Sequence, residues 1–121
     1  MKKIDFTKVK VFSDYRRESY IVCNVKDTII NYLYSYIPTS SLNRSFMQRI
    51  AETEGEIEIT DNEENLILGI LNKDNVVSET FRESLLILLH EDKLKEKLGN
   101  KTKMEEISAA MRELLVEINN Q

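Results

Sequence analysis

The chain is poor in residues that break helices and in residues that staple or ligate. It holds one proline, Pro38, and three glycines, Gly55, Gly69 and Gly99, in 121 residues. So few breakers favour helices over a turn-rich β-sandwich. Three isolated glycines also exclude a glycine-rich phosphate loop. A single cysteine, Cys23, excludes an internal disulfide and gives no sign of an oxidising compartment. One histidine, and no Cys-x-x-Cys or His-x-x-x-His spacing, excludes a structural zinc site. The longest apolar run, Leu85 to Leu89, is too short to cross a bilayer, and Met1-Lys2-Lys3-Ile4-Asp5 opens no signal peptide. These absences predict a cytoplasmic chain with no membrane partner.

What is present suits a single domain over residues 1–121, long enough to bury an independent core. The chain is 41% apolar and 31% charged, and the charged share exceeds the usual value of about 25%. A net charge of −4 argues against general affinity for nucleic acid, which needs clustered cations. The charge is unevenly spread. Residues 1–17 carry Lys2, Lys3, Lys8, Lys10, Arg16 and Arg17 against Asp5 and Asp14 only. Residues 51–65 carry seven carboxylates, from Glu52 to Glu64, and no cation. Such blocks could serve head-to-tail pairing of copies or steering of a charged partner, but solvated faces are the simpler reading.

The pattern predicts an α+β fold, predominantly helical, with an N-terminal β-hairpin packed on about five helices. Residues 4–12 and 20–25 are rich in β-branched and aromatic side chains around the polar connector Ser13–Glu18, the signature of a hairpin. The alternation in Glu56-Ile57-Glu58-Ile59 marks a short strand able to extend that hairpin to three strands. Asp27 is the expected N-cap of a helix carrying Ile29, Leu33 and Ile37, which Pro38 stops. Ser40 or Ser41 caps the next, with Leu42, Phe46 and Ile50 on one face and Gly55 at or beyond its end. Thr60 with Glu63, Thr80 with Glu83 and Thr102 with Glu105 each read as a capping box. The helix after Thr60 is apolar on most sides and is expected at the centre. Asp92 to Gly99 adds one or two helical turns.

In the last helix Met104, Ile107, Met111, Leu114 and Ile118 are spaced 3, 4, 3 and 4 apart, the rhythm of a helix–helix seam. Two readings stand side by side: an amphipathic helix packed on its own domain, or residues 101–121 as an oligomerisation element. The stripe covers only about two heptads, fewer than a coiled coil needs. The unpaired edge of the hairpin is a second expected interaction surface.

Chemistry is harder to find. His90 precedes Glu91 and Asp92, which could orient a general base, but a cation at a helix end is explained by the dipole. Cys23 sits in an apolar run and reads as a small buried hydrophobe. The acidic segment from Glu56 to Glu64 lacks the ligand order of a calcium loop. No catalytic residue, cofactor or metal is assigned. Tyr32 and Tyr36 lie one helical turn apart and could stack on a base, with Lys8, Lys10, Arg16 and Arg17 meeting phosphate. Tyrosine equally suits a core edge or a protein-binding hot spot.

The opening Met1-Lys2-Lys3-Ile4-Asp5-Phe6-Thr7-Lys8-Val9-Lys10-Val11-Phe12 resembles that of small proteins carried by phages and prophages of gut bacteria. Ile29-Ile30-Asn31-Tyr32-Leu33-Tyr34 and Glu54-Gly55-Glu56-Ile57-Glu58-Ile59-Thr60 continue the likeness over about residues 1–75. It implies a phage-encoded accessory protein inside a bacterial cell and carries over no catalytic residue. The expected function is non-enzymatic: binding a host or phage protein, with self-association, a dimer first. A binder that sequesters a signalling nucleotide is the alternative, and a DNA-binding regulator comes third.

Overall fold

A computed structural model describes residues 1–120. The fold is α+β and predominantly helical, with two small antiparallel sheets. In chain order the described elements are β1 (Lys2–Ile4), β2 (Val9–Phe12), β3 (Tyr20–Cys23), α1 (Lys26–Tyr36), α2 (Ser41–Glu52), β4 (Ile57–Ile59), α3 (Asp61–Leu71), α4 (Glu79–Leu89), α5 (Glu91–Leu98) and α6 (Met104–Asn119). They fall into two compact units. One comprises Met1–Val9 with Asn24–Ser78, the other Lys10–Cys23 with the residues from Glu79 on.

In the first unit β1 pairs antiparallel with β4, Lys2 opposite Ile59 and Ile4 opposite Ile57. The sequence pattern suggested one strand over 4–12, and the structure divides it. The Asp5 carboxylate accepts from the Thr7 N–H at 2.9 Å and from the Thr7 hydroxyl at 2.5 Å. This local Asx turn takes the backbone out of the ladder, so β1 and β2 join different sheets. β4 therefore does not extend the β2–β3 hairpin, as the alternation at 56–59 had suggested; it partners β1.

Helix α1 packs on α2 and α3, burying Ile29 and Leu33 on its apolar stripe. Its N-cap is Val25, with no side-chain cap, and Asp27 lies in the first turn, where it opposes the dipole's positive end. The Asn24 side chain takes the cap's task by accepting from the Lys26 N–H at 3.1 Å. Ser40 caps α2 through the Asn43 N–H at 3.0 Å, and α2 buries Phe46 and Ile50. Thr60 and Glu63 form a complete capping box on α3.

The second unit holds the β2–β3 hairpin and α4 to α6, with α6 packed on both α4 and α5. The expectation that α3 is the central helix is corrected. Asn62, Asn65 and Gly69 give α3 an exposed side, while α4 is buried at every residue from 83 to 89. The second and third capping boxes are also corrected. α4 begins at Glu79, so Thr80 lies inside it, and α6 is capped by Lys103 with no side-chain bond. Gly99 closes α5 at φ 53°, a left-handed conformation natural to glycine, its N–H on the Lys95 carbonyl at 3.1 Å.

Candidate functional site

The most organised surface feature is the turn from Ser13 to Ser19 that joins β2 to β3. The Ser13 N–H donates to the Ser19 carbonyl at 3.1 Å, and the two hydroxyls lie 2.6 Å apart. One Asp14 oxygen accepts from the N–H groups of Glu18 and Ser19 at 3.1 and 3.2 Å. The Arg17 N–H donates to the Asp14 carbonyl at 3.1 Å. Aspartate at a turn's start replaces backbone bonds in this way.

Arg17 anchors the turn to the helices of its unit. Its φ is +58°, a left-handed conformation uncommon for a residue with a Cβ. The guanidinium forks onto Glu83 of α4, with Nε at 3.0 and 3.1 Å from the two carboxylate oxygens and Nη2 at 2.6 Å from Oε2. Arg112 of α6 donates to the Arg17 carbonyl. The hydrogen bond to Glu83 raises the Arg17 pKa above its ordinary value. A strained backbone residue persists only where its surroundings over-determine it, and here a fork and a carbonyl clamp do so.

Held this way, the turn projects Tyr15, 91% exposed, and Arg16, also exposed. The Tyr15 ring centroid lies 6.0 Å from the Arg17 guanidinium carbon. Behind the ring a cavity of about 320 Å³ is lined by Phe12, Asp14, Tyr15, Arg17, Glu79 and Glu83, among others. A rigid turn carrying tyrosine and arginine has the composition and the low ordering cost of a protein-binding hot spot.

The residues singled out in the sequence are divided between the units. Lys8, exposed, and Tyr32 and Tyr36 of α1 belong to the first; Lys10, Arg16 and Arg17 belong to the second. Lys10 pairs with Glu91 at 3.6 Å, and Arg17 is taken by Glu83. Along α6, Met111 and Leu114 are buried, Ile107 and Ile118 are half-buried, and Met104 is exposed. The middle of the stripe is therefore covered by this chain.

The acidic block is largely matched within the first unit. Glu64 meets Lys2 at 2.9 Å, Glu58 meets Lys3 at 3.8 Å, Glu54 meets Lys26 at 3.5 Å, and Glu63 meets Arg49 at 2.8 Å. Such surface pairs contribute little individually. The first unit also has an open cavity of about 630 Å³, whose lining includes the capping residues Ser40 and Thr60 and the exposed Leu42.

His90 is the N-cap of α5, and its ring is placed by the end of α4: Nδ1 lies 2.8 Å from the Leu86 carbonyl oxygen. Among the described residues no group of three or more His, Cys, Asp or Glu side chains is placed to hold a metal ion, and no helix is long and apolar enough to cross a membrane. Tyr15, Asp14, Glu83 and Arg112 were not anticipated as a group. The one sequence signal was the polar run Ser13-Asp14 at the start of a connector between two β-rich segments. No protein-family model matches the chain, and no curated protein or solved structure is significantly similar to it.

Proposed function

We propose that this chain is a non-enzymatic accessory protein, of the phage-encoded kind its opening residues resemble, that works inside a bacterial cell by binding another protein and by self-associating. One observation carries the reading: Tyr15 and Arg16 stand exposed on a turn whose backbone is already fixed. A side chain with few torsions on a pre-ordered turn loses little entropy on binding, which favours it as an anchor. The nucleotide-sequestering alternative has no comparable support, because Lys10 and Arg17 are already matched by carboxylates.

The test compares capture from host lysate by the native chain and by a Tyr15→Ala/Arg16→Ala double variant of equal thermal stability. A partner retained by the first and lost by the second supports the reading. Equal capture by both removes this surface from it. Light scattering over a wide concentration range tests self-association, and a constant monomer mass would refute that half of the proposal.

A further inference from the structure

We propose that two copies of this chain join edge to edge through β3, pairing antiparallel about a two-fold axis at Ile21 to form one four-stranded sheet. The proposal rests on the self-association reading above and names the surface. Its first support is a contrast among the four described strands. β1 carries Lys2 and Lys3, β2 carries Lys10 and β4 carries Glu58, whereas β3, Tyr20-Ile21-Val22-Cys23, has no charge and no proline. Charges and prolines are the devices that keep an open strand edge from pairing with another chain. In a chain that is 31% charged, this edge lets a copy approach without opposing like charges.

Hydrogen-bond alternation fixes which groups are offered. The Ser13 N–H donates to the Ser19 carbonyl, so the main chain at residue 19 faces β2. Backbone groups of successive residues in a strand point to alternate sides, which turns the N–H and C=O of Tyr20 and Val22 toward the open edge. A two-fold axis at Ile21 sets Tyr20 opposite the partner's Val22, and Val22 opposite the partner's Tyr20. Each is a reciprocally bonded pair that joins an aromatic to a β-branched side chain, a favourable cross-strand combination. Ile21 then faces its own copy as a close, non-hydrogen-bonded pair. Ile21 and Val22 point to opposite faces of the sheet and are 56% and 59% exposed, so neither face is closed over the strand.

A two-stranded sheet is marginal, and four strands are not. An isologous contact also closes at two copies instead of growing into a fibre. Four residues a side bury less than a standard interface, so the dimer is weak and forms with rising concentration.

Three chains decide the matter: native, Ile21→Lys, and Val116→Lys on the exposed surface of α6 as control. Sedimentation should show a concentration-dependent dimer for the native chain and the control, and a monomer for Ile21→Lys with unchanged circular dichroism. On a Cys23→Ser background, Ile21→Cys should cross-link to a dimer under mild oxidation, whereas Val116→Cys should not. A dimer that survives Ile21→Lys, or is lost in Val116→Lys alone, overturns the β3 contact while leaving self-association standing. A native chain monomeric at every concentration overturns both. If that monomer captures a lysate protein that Ile21→Lys loses, the edge serves a foreign strand and the second-copy assignment is wrong.

Discussion

The Arg17 guanidinium lies in a fork on the Glu83 carboxylate, its shortest bond 2.6 Å, and the two residues are 66 positions apart in the chain. The acid side chain is 9% exposed and the cation's 33%. The partners are therefore unequal. Arg17→Ala leaves a nearly buried carboxylate uncompensated and should cost roughly 2–4 kcal/mol in urea unfolding. Glu83→Gln should cost about half as much, because an amide oxygen still accepts from a guanidinium that can reach water. Arg17→Gly should recover about 1 kcal/mol relative to alanine, since φ is +58° there. An order reversed between Arg17→Ala and Glu83→Gln would show that burial is not what makes the fork matter.

The pH dependence of that penalty follows from its sign. Arg17's pKa is raised in the folded chain, chiefly by its hydrogen bond to Glu83. The stabilisation is fully present below the unfolded-state value and is lost only as pH rises through the folded one, in strong alkali. The Arg17→Ala penalty should thus be the same in neutral and in mildly alkaline buffer. A steep alkaline decline would assign the effect to another group.

The three Thr-x-x-Glu sequences should separate on mutation. Thr60→Ala removes a formed cap and should cost about 1 kcal/mol. Thr80→Ala and Thr102→Ala should each stay within about 0.5 kcal/mol of the native chain, since neither residue occupies the N-cap position of its helix. Melting temperatures of the three single variants check this directly.

Gly69 is an exposed glycine inside α3, and a Cβ built on it meets nothing within 4 Å. Gly69→Ala should therefore stabilise the chain by about 0.5–1 kcal/mol. Gly55 has equal space but a φ of +103°, so Gly55→Ala should destabilise it. Thermal unfolding of this pair tests whether conformation or room sets the outcome.

Ser108 is fully buried in α6, and among the described residues its hydroxyl has no hydrogen-bond partner. Removing an unsatisfied buried polar atom regains its desolvation penalty, so Ser108→Ala should stabilise the chain by roughly 1 kcal/mol. Denaturant midpoints give the answer, and a loss of stability would mean that the hydroxyl is bonded after all.

What could be read from sequence was what is local. The Thr60–Glu63 box and the cap of α2 each need residues three apart and nothing else; the box stands as read, and of Ser40 and Ser41 it is Ser40 that caps. The helical stripes of α1 and α2 likewise depend on short spacings. The Thr80–Glu83 sequence looks the same, but Glu83 is claimed by Arg17 from a distant part of the chain, which no window of residues displays. A short side-chain turn at Asp5 outweighed the β-propensity of its neighbours and sent β1 to β4. The site was legible only as composition: Arg16 and Arg17 were singled out, yet Tyr15's exposure and the clamp on Arg17 arise from tertiary placement.

The two compact units are interleaved along the chain, since residues 10–23 belong with the segment that starts at Glu79. Synthesis is vectorial, so on the ribosome the hairpin emerges long before Glu83 or Arg112, the residues that hold its turn, have been made. The Arg17 clamp can close only after residue 112 has left the ribosome. A nascent chain stalled near residue 78 should leave the 13–19 turn sensitive to protease, whatever its first unit has already achieved.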